Sequence, residues 1–218
     1  MTAPALWCTG PGTAEIRPGR LGEGLLVRTL FSGISRGTER LVLEGCVPES
    51  EHSRMRAPFQ EGNYPFPVKY GYAAVGEVQE GELSGRLVFA LFPHQCAFRL
   101  PAETLVPLPA GLAPERAVLG ANMETALNIL WDSSAGAGDR IAIVGGGLVG
   151  LLVAALAARL PGAEVTVIDP LDRRAPVATL LGCAFRHPDG APRDQDVVIH
   201  TSASQDGLTL ALQIAGNQ

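Results

Sequence analysis

Apolar positions along the chain keep two different periods. Up to about residue 112 they come in short runs rich in β-branched and aromatic side chains, residues 25–31, 72–78 and 86–92, separated by Gly and Pro clusters. That spacing predicts a compact, mostly antiparallel β-region. Residues 54–68 carry Pro58, Phe59, Tyr64, Pro65, Phe66 and Pro67 without any period, so a long loop is expected there, of the kind that can line a pocket. From Pro114 the period lengthens. Val118, Leu119, Met123, Ala126, Leu127 and Leu130 form a helical stripe that runs to Trp131, and the proline suits a first helical turn. The pattern divides the chain into residues 1–112 and residues 113–218.

The second region is organised around residues 139–169. Residues 141–144 are an apolar run too short for a helix and rich in β-branched side chains, as a buried parallel strand is. Gly145, Gly147 and Gly150 then fit G-x-G-x-x-G. In that pattern the first glycine permits a tight turn, the second lets backbone approach a pyrophosphate, and the third lets helix pack close to strand. Leu148, Leu151, Leu152, Ala155 and Leu156 follow at helical spacing, Pro161-Gly162 ends the run, and a second apolar run, 165–168, leads into Asp169. A carboxylate about twenty residues past the glycines is placed to accept the two ribose hydroxyls of an adenosine. With 26 glycines in 218 residues the glycine pattern alone is weak, and a merely structural turn is the alternative. Strand before, helix after and acid at the right distance decide for a dinucleotide turn.

In that reading the amides of Leu148 and Val149, at the positive end of the helix dipole, hold the diphosphate. Asp169 favours NAD over NADP by repelling a 2′-phosphate. Arg173 and Arg174 supply the opposing case, since either can pair with such a phosphate, or simply be solvated. Beyond Asp169 the αβ alternation continues: a helix over 177–181, a short strand over 183–185, a buried strand over 197–200 and a helix over 208–214. His200, Thr201 and Ser202 fall at the carboxyl edge of their strand, where open α/β sheets bind ligands. The two further strands of a usual doubly wound domain have no counterpart here, so a partial sheet is expected, in a chain that is a fragment of a longer polypeptide or stands alone.

Composition narrows the picture. The chain is 46% hydrophobic and 18% charged, with a formal net charge of -5, which leaves no basic footprint for nucleic acid or an anionic membrane. The longest apolar helix, 148–160, is too short to cross a bilayer, and no signal segment is visible, so a cytoplasmic protein is expected. Cys8, Cys46, Cys96 and Cys183 lie far apart with no C-x-x-C, which reads as four reduced thiols rather than a zinc knuckle or a disulfide frame.

Three strings carry a family resemblance. LLVRTLFSGISRGTERLVLEG is similar to the G-I-C-G-T-D segment of the medium-chain dehydrogenase/reductase superfamily, the zinc alcohol dehydrogenase-like proteins. FPVKYGYAAVGEV resembles its P-x-x-x-G-H-E-x-x-G-x-V segment, and GRLVFALFPHQCAFRLPAETLVPLP its G-D-R-V strand with the strand that follows. The G-I-S-R-G-T-E and P-H-Q versions look closest to the branch with bacteriochlorophyllide dehydrogenase-like and threonine dehydrogenase-like proteins. The resemblance implies an N-terminal β-rich, GroES-like domain followed by a partial Rossmann fold, a doubly wound parallel α/β sheet. It also implies NAD(P)-dependent hydride transfer to or from an alcohol, a carbonyl or a conjugated double bond of a small molecule.

The departures from the family pattern matter as much. Where the family takes zinc ligands from G-I-C and G-H-E, this chain has Ser35 and Tyr72; aligning on Gly37-Thr38-Glu39 instead puts Arg36 in the cysteine's place. A serine hydroxyl and a phenol are poor ligands beside thiolate and imidazole, so no catalytic zinc is expected. By the resemblance, Ser35, Thr38, Tyr72 and His94 would face the nicotinamide, with a Tyr72 or Thr38 hydroxyl donating to an alkoxide and His94 as relay or acid. Tyr72 is equally a packed aromatic, Thr38 a turn residue and His94 a strand-end histidine without chemistry. Glu39 resembles the acid that supports the family's site, or pairs with Arg36 or Arg40. Asn122 and Glu124 lie near the family's cofactor and substrate, or cap and polarise the helix; Thr201 and Ser202 would face the ribose beside the nicotinamide. His52 and His187 read as surface residues. A nucleotide-binding module without turnover is the competing function. An edge strand over 197–200 suits a homo-oligomer.

Overall fold

The computed structural model describes residues 1–216. It divides into two compact units, Met1–Ala121 and Asn122–Gln218. The division falls inside the helical stretch rather than at residue 112. The single helix expected from the stripe is two: after a first turn at Pro114–Ala117 the chain closes a tighter turn, Leu119 N to Arg116 O, and a longer helix starts at Gly120. A side chain at Gly120 would press on the Phe89 ring at 3.3 Å.

In chain order the first unit contains β1 (Thr2–Gly10), β2 (Thr13–Arg20), β3 (Leu25–Ser32), α1 (Arg36–Glu44), β4 (Glu61–Gly62), β5 (Val68–Lys69), β6 (Ala74–Val78), β7 (Leu87–Ala90), β8 (Ala97–Leu100), β9 (Val106–Pro107) and α2 (Pro114–Ala117). Two antiparallel sheets result, β2-β1-β5-β4 and β8-β3-β6-β7-β9. Val27, Val78, Val88, Phe98 and Leu100 fill the core of the second, where Phe92 stacks on Phe98 with ring centroids 4.3 Å apart. The β1–β2 hairpin and α1 are absent from the hydrophobic pattern. α1 begins at Ser35, whose backbone N–H donates to Glu39 Oε1 at 2.7 Å, and ends at Gly45, whose left-handed conformation (φ 69°) frees its amide for the last carbonyls. The expected 54–68 loop is present, interrupted by the two-residue β4.

The second unit starts within α3 (Gly120–Ser133) and continues with β10 (Arg140–Val144), α4 (Leu148–Ala157), β11 (Glu164–Ile168), α5 (Ala175–Leu180), β12 (Ala184–Arg186), β13 (Val197–His200) and α6 (Gln205–Ile214). Its sheet is fully parallel in the order β12-β11-β10-β13, so β13 is an edge strand and the order reverses between β10 and β13. Helices cover both faces. Val153, Ala154 and Ala157 of α4, with Ala178 of α5, pack on Ile141, Ile143 and Val167; Ala211 and Ile214 of α6 pack on Ala142, Val144 and Ile168. All four cysteines are free thiols. Among the described residues no helix is long and apolar enough to cross a membrane.

One buried charge stands out in the first unit. Lys69 is 1% exposed; its ammonium donates to Glu61 Oε1 at 2.5 Å and Gln95 Oε1 at 2.8 Å and lies 5.0 Å from the centre of the Phe92 ring. Gln95 in turn donates to the Arg20 and Ala97 carbonyls, so one network ties β2, β4, β5 and the strand-end loop before β8. Burial holds the Lys69 ammonium below the usual lysine range, and the pull of Glu61 only partly offsets it. The unfolded lysine therefore keeps its proton to higher pH, and stability rises with pH between the lowered folded value and the ordinary 10.5. Tyr64 and Tyr70, both pushed up by burial, act in the opposite sense above the ordinary tyrosine value of 10.0. Lys69→Met should remove the alkaline rise below pH ~10 and lower the unfolding free energy by about 2–4 kcal/mol, read from urea denaturation; adding Glu61→Gln should recover part of that loss.

Candidate functional site

Within the second unit the glycine turn sits at the reversal point of the sheet, and its glycines differ in what surrounds them. Gly145 has φ 112°, and a side chain there would meet the Ser202 backbone nitrogen at 2.6 Å. A side chain at Gly150 would collide with the Gly145 carbonyl oxygen. These two hold the strand, turn and helix together. Gly147 is different: it caps α4 in an ordinary extended conformation, and a side chain there would meet nothing within 4 Å. No side chain caps α4, so the amides of Leu148, Val149 and Gly150 open the helix without a side-chain acceptor.

Asp169, 7% exposed, turns toward this bend. Its Oδ2 accepts from Gly146 N at 2.7 Å and its Oδ1 from Leu171 N at 2.8 Å, which leaves one lone pair on each oxygen. Arg174 donates from Nη1 to the Gly146 carbonyl at 2.5 Å. Thr201 and Ser202 face Gly145 from the end of β13. Thr201 Oγ1 donates to the Gly145 carbonyl at 2.8 Å; Ser202 Oγ is linked to His200 Nε2 at 2.7 Å and to Ser204 Oγ, the cap of α6, at 2.9 Å. Gly145, Gly147, Leu148, Val149, Gly150, Asp169, Arg174, Thr201 and Ser202 thus lie on or around one bend.

Within the first unit the expected residues separate. His94, 8% exposed, follows β7 and is held between two partners: Ser32 Oγ lies 2.8 Å from its Nδ1 and Glu39 Oε2 lies 2.6 Å from its Nε2. If the Nε2 proton is donated to the carboxylate, Nδ1 accepts from the serine hydroxyl. Glu39 pairs with neither candidate arginine, and Arg40 is occupied by Glu44 at 2.7 Å. The other oxygen of Glu39 accepts the Ser35 amide, so Ser35, Glu39, His94 and Ser32 form one chain of hydrogen bonds.

A cavity of about 250 Å3 opens beside that chain. The hairpin supplies Leu6, Cys8 and Ala14; Ile34 and the inner side of α1 supply Glu39, Val42 and Leu43; Tyr70 and His94 close it, and Arg36 and Arg40 reach its edge. Burial, reinforced by Glu39, pushes the Cys8 thiol up, which favours its neutral form. The Tyr70 hydroxyl donates to the Met55 carbonyl at 3.0 Å, which leaves its ring to the cavity. Ser35, Thr38 and Tyr72 are not among the residues lining it. Ser35 is buried at the cap of α1, Thr38 is half-buried, and Tyr72 packs edge-on against Tyr70 with ring centroids 6.0 Å apart.

Sequence reasoning passed over Ser32 and left the partner of Glu39 open. The signals were an acid four residues into a capped helix and a histidine at a strand end, each common by itself. Asn122 is buried and Glu124 exposed on α3. His187 is exposed, but His52 is half-buried, with Nε2 3.2 Å from the Val47 carbonyl and its ring against Tyr64, rather than on the surface. Among the described residues no group of three or more His, Cys, Asp or Glu is placed to hold a metal ion.

A family model described as pyridine nucleotide-disulphide oxidoreductase matches residues 103–180, less than half the chain, and that stretch contains the glycine turn. The chain is 34% identical over 135 residues to 2-dehydro-3-deoxy-L-galactonate 5-dehydrogenase of Pseudoalteromonas atlantica, covering 57% of this chain and 39% of that protein. It is 25% identical to D-xylulose reductase of Scheffersomyces stipitis, covering 76% and 47%. It therefore spans less than half the length of these two relatives. Among solved structures it is similar to L-idonate 5-dehydrogenase from Escherichia coli, with a TM-score of 0.79 at 16% identity, over 99% of this chain and 73% of that one. Strand order and this likeness show that the chain has the fold of that dehydrogenase over the part of it that it spans.

Proposed function

We propose that the chain carries out, or forms the larger part of a protein that carries out, NAD(P)-dependent hydride exchange with an alcohol or carbonyl group of a small molecule. The observation that carries this reading is the open ground at Gly147 beside the uncapped start of α4, with the Asp169 carboxylate bound to the neighbouring Gly146 amide. Amides aimed at unfilled space suit a diphosphate, and the free lone pairs of Asp169 suit ribose hydroxyls. When bound, the nicotinamide supplies the two-electron hydride chemistry. Asp169 favours NAD. The one hydrogen bond of Arg174 to a backbone carbonyl leaves other guanidinium donors, so it retains some affinity for a 2′-phosphate.

The proton that accompanies the hydride needs a resident carrier, and in this reading the Glu39–His94 pair is that carrier. It is nearly buried, lies on a cavity wall, and its Ser32 end is exposed. Ser35 fixes Glu39 through its amide, and Thr38 and Tyr72, which do not line the cavity, are left out of the proton path. The proposal omits catalytic zinc on the chemistry of Ser35 and Tyr72, whose hydroxyls do not match the thiolate and imidazole they replace. The free thiols of all four cysteines fit a cytoplasmic setting.

Titration with NADH and NADPH, followed by nucleotide fluorescence, tests the first step: NADH should bind more tightly by about tenfold, and Asp169→Asn should shrink that ratio. No binding of either would remove the proposal, while binding without turnover on an aldehyde, ketone and quinone panel would favour the nucleotide-binding module. Gly147→Val should abolish binding and leave the melting temperature unchanged, whereas Gly150→Ala should lower the melting temperature; the opposite assignment would refute the roles given to the two glycines. In turnover, His94→Gln and Glu39→Gln should each lower kcat by roughly 10²-fold with NADH affinity preserved, and Tyr72→Phe should also spare binding. Zinc at one equivalent in purified protein would overturn the metal-free part.

A further inference from the structure

The walls of the first-unit cavity are chemically lopsided. Leu6, Cys8 and Ala14 line it together with Ile34, Val42 and Leu43, and every one of these side chains is apolar or, for the half-buried thiol, only weakly polar. Tyr70 contributes a ring, because its hydroxyl is already bound to the Met55 carbonyl. Glu39 and His94 meet at 2.6 Å on one wall, and the other polar lining residues are Arg36 and Arg40. Of the two arginines at the edge, Arg40 is held by Glu44. A solute entering this space meets mostly apolar walls and, on one of them, the carboxylate–imidazole pair.

We infer that the cavity binds a mostly apolar molecule with a single carbonyl or hydroxyl oxygen, seated with that oxygen against Glu39 and His94. The volume of about 250 Å3 holds roughly eight to ten non-hydrogen atoms, at about 30 Å3 for a water-sized group. A polyhydroxylated compound of the same size is excluded by desolvation. One of its hydroxyls finds the pair, and each remaining one is stripped of water without a partner, at roughly tenfold or more in affinity. In this respect the chain departs from the relatives named for a sugar or a sugar acid. That the molecule bound here is the substrate rests on the oxidoreductase reading; that the cavity selects apolar over polyhydroxylated ligands does not.

Fluorine NMR of the full chain with para-fluoroacetophenone as probe tests this, with benzyl alcohol and xylitol as competitors and NADH titrated on the same samples. The probe should bind and benzyl alcohol should displace it, with xylitol at least about tenfold weaker than benzyl alcohol. Ala14→Phe, at an exposed position on the hairpin wall, should fill the space and weaken the probe at least about tenfold with an unchanged circular dichroism spectrum. Leu43→Phe fills the opposite wall and replaces it should Ala14→Phe unfold. Glu39→Gln should weaken benzyl alcohol more than toluene, which lacks the oxygen. Equal competition by xylitol, no binding of the probe, or full affinity in a folded filled variant would overturn the inference. Probe binding without NADH binding would leave the cavity standing and remove the oxidoreductase reading; NADH binding without probe binding would do the reverse.

Discussion

Backbone packed against backbone is the constraint on which the second unit depends. Where β10 ends, the Ser202 amide occupies the space a Gly145 side chain would need, and the Gly145 carbonyl occupies the space a Gly150 side chain would need. Three segments of main chain meet there because two positions carry no Cβ. Thr201 adds a hydroxyl bond to the same carbonyl, and Asp169 and Arg174 hold the amide and carbonyl of Gly146. A bend fastened on so many sides has its conformation fixed before any ligand arrives, which lowers the ordering cost of binding. Gly147 alone faces outward.

The first unit meets a different constraint, the cost of charge removed from water. P-H-Q places two polar residues side by side at a strand end, and neighbours in extended backbone point opposite ways. His94 goes to Ser32 and Glu39, Gln95 to Lys69 and the carbonyls of Arg20 and Ala97. Neither network is tolerable half made, since a buried polar group without a partner costs about 1–3 kcal/mol. The loop between β7 and β8 is thereby pinned from both sides, and the imidazole beside the cavity is held by both of its ring nitrogens.

Periodic segments were legible in the sequence and polar partnerships were not. Residues 141–144, 165–168 and 197–200 read as strands because a strand buried on both faces must be apolar throughout, and the structure has β10, β11 and β13 there. The β1–β2 hairpin is exposed along most of β2, so no alternation had to be written into it. Helix α1 is short and largely polar; its start depends on a Ser35–Glu39 bond that is local but carries no apolar signature. The Glu39–His94 pair joins residues 55 apart in sequence, and nothing short of the paired β-sheets brings them together. Lys69 illustrates the same limit. A lysine between two apolar runs reads as solvated, yet it is buried because Glu61 arrives from β4 and Gln95 from the loop before β8.

Where the family pattern has a cysteine and a histidine, Ser35 and Tyr72 do packing and positioning: the serine amide steadies Glu39, and the tyrosine lies edge-on against Tyr70. The unit does hold a close carboxylate–imidazole pair, Glu39 and His94, on the wall of a mostly apolar cavity. A metal ion polarises an oxygen strongly in any surroundings, whereas a carboxylate–imidazole pair handles a proton well only where water does not compete for it. The apolar walls are therefore part of the same chemistry as the pair. On the reading proposed, the pair works at an oxygen held against apolar walls, and the same walls disfavour a ligand with many hydroxyls.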